Sequence, residues 1–165
     1  MKIGFIGLGI MGKPMVKNYL KENVTVLVND LNKEAEAEVI NEGAQAVSVK
    51  QMAQEVDHII TSLPNGEIVK AVLYSGKDAI LNQSDISVQT VVDTSSLTPN
   101  ESLEISKVLK EKQIKYIDAP VSGGEPLAIT GELSVMIGCD ESDLEIVQSV
   151  LKPIAKSVIR VGDVG

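Results

Sequence analysis

Short apolar runs alternate with amphipathic stretches along the whole chain. KIGFI (2–6), VTVLVN (24–29), VDHIITSL (56–63), ISVQTVVD (86–93), IKYIDA (114–119), ELSVMIG (132–138) and SVIRVG (157–162) read as strands. The 86–93 run is apolar almost throughout, the pattern of a strand covered on both faces. Between the strands, 11–22, 33–43, 66–73, 98–112 and 140–155 read as helices, with Leu144, Val147 and Leu151 on one face of the last. Punctuation residues agree. Pro14 falls early in its helix, where a missing N–H costs little. Gly43 stops the second helix and Pro64 the 56–63 strand. Thr98, Pro99 and Glu101 spell a capping box. Strands alternating with helices of this length mean βαβ units. The expected fold is α/β: a doubly wound, mainly parallel sheet with helices on both faces, in one domain over residues 1–165.

Composition narrows the chemistry. A net charge of -8 over 165 residues argues against nucleic acid as a partner. An anionic ligand would have to be held by backbone N–H groups and a few local cations. One cysteine (Cys139) and one histidine (His58) leave no disulfide, no metal cluster and little histidine-based catalysis. His58 is expected at the edge of a buried strand and Cys139 at a strand–helix junction, neither with a catalytic role. No apolar run approaches the roughly 18 residues that a membrane span requires. The opening apolar stretch carries Gly4, Gly7, Gly9 and Gly12 and no cleavage signature follows, so a secretory signal is not expected and the cytoplasm is.

The same opening stretch carries the first functional motif. Gly7, Gly9 and Gly12 form G-x-G-x-x-G between an expected strand and an expected helix, which marks the fold as Rossmann-type. Gly7 makes the tight turn, Gly9 lets a pyrophosphate approach the backbone, and Gly12 lets helix and strand close up. The amides near Leu8, Ile10 and Met11 then face the phosphates. Asp30, 18 residues after Gly12 and next to Asn29, stands where an acid accepts the adenosine ribose hydroxyls and repels a 2′-phosphate. That selects NAD over NADP, although Asp30 also suits a cap on the next helix. Two further strand ends belong to the same sheet edge. Leu63 and Pro64 would pack on the adenine or ribose side, and Ser95 and Ser96 would reach the nicotinamide half. A plain turn and a serine-rich helix entry are the alternatives there.

DAPVSGGEPLAITGEL (118–133) stands apart. Ser122, Gly123 and Gly124 offer consecutive amides and a hydroxyl with nothing in front of them, which suits a carboxylate. A flexible connecting loop is the other reading of these residues.

FIGLGIMGKPM near the start and DAPVSGGEPLAITGELSVMIG together resemble the β-hydroxyacid dehydrogenases, over the whole chain through VGDVG. Within that family the second stretch is most similar to the tartronate semialdehyde reductase branch, with 3-hydroxyisobutyrate dehydrogenase as the alternative. The resemblance implies NAD-linked interconversion of a small 3-hydroxy acid and its semialdehyde. It also implies that Ser122, Gly123 and Gly124 hold the substrate carboxylate. It places the general acid/base, a lysine, about six residues beyond Gly165, so none of the lysines present takes that role and this chain alone is expected to be inactive. A helical C-terminal domain that would carry the homo-oligomer contacts is expected there too. A freestanding NAD-binding module and another Rossmann reductase, such as an imine reductase, are the competing readings; DAPVSGG argues against the second.

Overall fold

The computed structural model describes residues 1–165. Its core is six parallel strands: β1 (Lys2–Ile6), β2 (Thr25–Asn29), β3 (Gln45–Ala46), β4 (His58–Thr61), β5 (Thr90–Asp93) and β6 (Lys115–Asp118). They lie in the order β3-β2-β1-β4-β5-β6, the doubly wound Rossmann arrangement expected. The crossovers are α1 (Gly12–Lys21), α2 (Lys33–Ile40), α3 (Val49–Glu55), α4 (Gly66–Lys70) and α5 (Pro99–Glu111). Beyond β6 come β7 (Val121–Ser122), α6 (Gly124–Thr130), β8 (Leu133–Gly138), α7 (Leu144–Leu151) and β9 (Ala155–Gly162). β8 runs antiparallel to β6 and β7, and β9 closes its other edge in parallel. No helix is long and apolar enough to cross a membrane.

Side-chain alternation explains why both faces are covered. Ile3 and Phe5 of β1, Val26 and Val28 of β2, Ile60, Val92 and Ile117 point into one core, closed by α1, α2, α6 and α7. Ile6, Leu27, Ile59, Val91 and Tyr116 point into the other, closed by α3, α4 and α5. Each of these side chains is buried, and each contributes about 1.5–3 kcal/mol through apolar area removed from water. β6 and β7 share one register against β8, since Asp118 faces Gly138 and Val121 faces Val135. Pro120 interrupts them because it has no N–H to give the ladder.

The capping box at Thr98 and Glu101 forms as the sequence spells it, with the Thr98 side chain and the Glu101 carboxylate each accepting the other's amide. Asn32, not Asp30, caps α2 by accepting from the amides of Glu34 and Ala35. Several expectations are corrected. The 86–93 run is strand only from Thr90, because β4 begins at His58 and nothing upstream is there to pair. Ser87 and Gln89 donate instead to the Ala53 and Asp57 carbonyls. The expected 140–155 helix is a 3₁₀ turn followed by the shorter α7. Residues 118–133 are not a flexible loop: they hold β7 and α6, the latter closed by Gly131 in the left-handed region (φ 73°). His58 opens β4 half-buried, and burial lowers its pKa. Cys139 is a buried free thiol after β8, and burial pushes its pKa up.

Two buried polar side chains fix the layer above α1. Asn18 Nδ2 donates to the Ala128 carbonyl of α6 at 2.6 Å, and Tyr19 Oη donates to the Val150 carbonyl of α7 at 2.8 Å. Asn18→Ala and Tyr19→Phe each leave a buried carbonyl without its donor, and each is expected to cost about 1–3 kcal/mol. Urea denaturation of both variants measures this.

Candidate cofactor-binding site

The turn from β1 to α1 is built on close approaches. Gly7 has φ 102°, and a Cβ there would collide with the Ser62 carbonyl at the end of β4. A Cβ on Gly12 would collide with the Gly7 carbonyl, so α1 can begin directly against the turn only because position 12 is glycine. Gly9 is different. A Cβ there would meet nothing within 4 Å, and its backbone is in no region reserved for glycine. The fold itself does not need glycine at position 9. Gly7 N–H donates to the Asn29 carbonyl at 3.2 Å, which ties the turn to β2.

Asp30 completes the tie. Its Oδ2 accepts from Leu8 N–H at 2.5 Å and its Oδ1 from Asn32 N–H at 2.7 Å. Its own N–H donates to Glu36 Oε1 at 2.9 Å, and Lys33 Nζ donates to its carbonyl at 3.0 Å. The acid thus fastens the glycine turn while remaining only half-buried. A carboxylate offers about four lone-pair sites, so two ribose hydroxyls can still be accepted. Asn29 turns its side chain away, donating to the Val47 carbonyl at 2.8 Å.

In front of this turn lies a cleft of about 880 Å³. Gly7, Gly9, Ile10, Met11, Asn29, Asp30, Leu63 and Pro64 all line it, which brings together most of the residues singled out from sequence. Its volume lies within the range of cofactor sites, and its wall is largely apolar. That wall also includes Val49, Ile68, Ala71, Val72 and Ala79, which sequence reading missed. Val49 comes from the start of α3, Ile68 from α4, Ala71 and Val72 from the single π turn at Ala71–Ser75 that follows it, and Ala79 from just before the 3₁₀ turn at Ile80–Asn82. A π turn widens a helix locally, and such turns recur at functional sites. Ser48 before α3 is the one signal that would have revealed part of the wall, since it caps that helix by accepting from Gln51 N–H.

The remaining candidates lie elsewhere. Leu8 and Gly12 are buried behind the turn. Ser95 is buried beneath the cleft, its hydroxyl accepting from Leu63 N–H at 2.9 Å, while Ser96 is exposed beside it. Neither serine lines the cleft. Ser122, Gly123 and Gly124 are exposed at the entry of α6, with φ 136° at Gly123 and 66° at Gly124. They lie outside the cleft but not far from its rim: Ile10 lines both the cleft and a smaller hollow of about 290 Å³ that runs between α1 and α6 to Glu125.

The glycine left free at position 9, the fastened acid and the apolar wall fit a dinucleotide. The family model for the NAD-binding domain of 6-phosphogluconate dehydrogenase matches residues 2–162. The chain belongs to this family. It is an NAD-binding domain, and its fold is that of the hydroxyacid dehydrogenases. The 2-(hydroxymethyl)glutarate dehydrogenase of Eubacterium barkeri is 46% identical over all of this chain and 54% of its own length. The 2-hydroxy-3-oxopropionate reductase of Escherichia coli is 35% identical over all of this chain and 56% of its own length. Among solved structures, the 3-hydroxyisobutyrate dehydrogenase of Mycobacterium tuberculosis with L-serine superposes with a TM-score of 0.87 at 29% identity, over 99% of this chain and 55% of that one. The chain spans about half the length of the curated relatives it matches.

Two outcomes test this family member's site. Gly9→Ala is expected to leave stability within about 1 kcal/mol of wild type and to weaken NADH binding, whereas Gly7→Ala should lose several kcal/mol of stability because its backbone forbids a Cβ. Paired denaturation and NADH titrations separate them. Burial raises the pKa of Asp93 and of Asp118, its register partner on β6. A carboxyl raised by folding keeps its proton longer in the native chain, so its contribution to stability is full below the ordinary value of 3.8 and is lost as pH rises through the raised one. Asp93→Asn removes that loss. Urea titrations should show the variant gaining on wild type as pH rises from about 4 to about 7.

Proposed function

We propose that this domain serves an enzyme that interconverts a small hydroxy acid and its semialdehyde with NAD(H). Gly9 carries the reading: it is the one glycine of the turn that the fold itself leaves unexplained, and it faces the cleft. The phosphates would lie on the amides around Ile10 and Met11, at the start of α1. Asp30 would take the ribose hydroxyls and disfavour a 2′-phosphate, giving NAD preference over NADP. The apolar wall from Val49 to Val72 would hold the adenine. Bound NAD supplies a hydride acceptor at its nicotinamide ring.

The substrate class follows from what the relatives' names share. 2-(Hydroxymethyl)glutarate, 3-hydroxyisobutyrate and the reduced form of 2-hydroxy-3-oxopropionate all carry a CH₂OH on the carbon bearing the carboxylate, and so does L-serine. Ser122, Gly123 and Gly124 would hold that common carboxylate. The sequence stretch around them favours a tartronate semialdehyde reductase, while the 46% identity favours 2-(hydroxymethyl)glutarate. The identity extends over the whole chain and carries more weight. A proton must also leave the alcohol as hydride departs. No lysine lines the cleft, and Lys13 and Lys17 are both held by Glu38 at 2.8 Å. By the resemblance to the hydroxyacid dehydrogenases, the acid/base would be a lysine about six residues beyond Gly165.

Calorimetric titration is expected to show NADH bound more tightly than NADPH. Asp30→Ala should narrow that ratio, and tighter NADPH binding by wild type would overturn the role of Asp30. The full-length protein should oxidise 2-(hydroxymethyl)glutarate in preference to glycerate and 3-hydroxyisobutyrate, read as NADH absorbance, and residues 1–165 alone should turn over none of them.

A further inference from the structure

Under the cleft lies a carboxylate that the cofactor reading does not use. Asp93, the last residue of β5, has no exposed surface. Its Oδ1 accepts from Thr61 Oγ1–H at 2.9 Å and from Ser95 N–H at 3.0 Å, and its Oδ2 accepts from Tyr116 Oη–H at 2.8 Å. Donors therefore reach one group from β4, from β6 and from the turn just after β5. The hub reaches the cleft by one further link. Ser95, placed by its amide on Asp93, accepts from Leu63 N–H at 2.9 Å. Leu63 and Pro64 form the cleft wall after β4. Thr94 reinforces the junction, with its N–H at 2.9 Å and its hydroxyl at 2.8 Å from the Thr61 carbonyl.

We infer that Asp93 is a positioning residue for the cofactor cleft: through Ser95 it sets the backbone of Leu63, and with it the wall against which the dinucleotide lies. The inference rests on the cleft being the NAD site. A buried carboxylate is costly unless donors surround it, and an apolar side chain would fill the space at less cost. Three strand-end donors converging on one charge hold a defined geometry that apolar contacts would not. The serine pair at the end of β5 then has divided duties. Ser95 faces inward as the link, and only Ser96 is left open to solvent.

The test uses wild type, Ser95→Ala, Asp93→Ala and Asp93→Asn, with NADH as the probe. Three quantities are read: the NADH Kd, the thermal midpoint and hydrogen exchange at the Leu63 amide without ligand. Ser95→Ala should lose protection at Leu63 and weaken NADH binding about tenfold, with the midpoint nearly unchanged. Loss of a direct serine–cofactor contact would not alter exchange in the unliganded chain. Asp93→Ala should match that loss of affinity. Asp93→Asn keeps an oxygen for Thr61 and Ser95 and an amide for Tyr116 Oη, so its affinity should stay within about threefold of wild type. Wild type that fails to bind NADH overturns the cofactor reading itself. Wild type that binds, with Ser95→Ala equally tight or still protected at Leu63, overturns the role of Asp93 alone. Should Asp93→Ala fail to fold, Ser95→Ala decides.

Discussion

Three segments of backbone meet at the C-terminal edge of the sheet with no room for a side chain between them. Gly7 sits against the Ser62 carbonyl, and Gly12 sits against the carbonyl of Gly7. This contact lets α1 start immediately above β1, with Ile10 and Met11 at its entry lining the cleft. The strand order then puts the ends of β2 and β4 on either side of the turn, one bringing Asp30 and the other Leu63. Packing on both faces of the sheet keeps these ends in place.

Recognition of a polyanion by a chain of net charge -8 is consistent with that geometry. Amides and a helix N-terminus attract phosphate without a cationic side chain. Lys13 and Lys17, the cations closest in sequence to the turn, are engaged with Glu38, whose own pKa they lower to about 2. Negative charge at Asp30 fastens the Leu8 amide and, in the proposed function, would also meet the ribose. A surface rich in carboxylates and a site made of backbone thus coexist in one molecule.

Both halves of the proposed chemistry are carried by α1. Its first turn faces the cofactor cleft, and Asn18 on its buried side ties it to α6, whose entry holds Ser122, Gly123 and Gly124. In the proposed function, a rigid helix between the two would keep the distance from cofactor to substrate constant, and reaction geometry tolerates little error. The domain would there organise the cofactor and one wall of the substrate site.

Local pattern was enough for much of this. The alternation of strands and helices, the capping box at Thr98, the glycine turn and Asp30 each depend on neighbours in sequence, and each is where its pattern puts it. β3, α3, β7 and α6 were not legible, because elements of two to seven residues complete too little of any period. A Pro126 near the start and a left-handed Gly131 at the end marked α6, but its two leading glycines read as loop. The apolar wall escaped notice because Val49, Ile68 and Val72 look like ordinary core positions until the crossovers bring them to one side of the turn. Ser95 shows the same limit: it is polar, at a strand end, and next to Ser96, yet it faces inward because Asp93 and Leu63 receive it there. By itself the sequence determined the class of fold, the glycine turn and the acid beside it, all set by contacts over short spans. Only the tertiary structure decided which polar groups became struts and which stayed open to a ligand, because that depends on donors arriving from β4, from β6 and from the turn after β5.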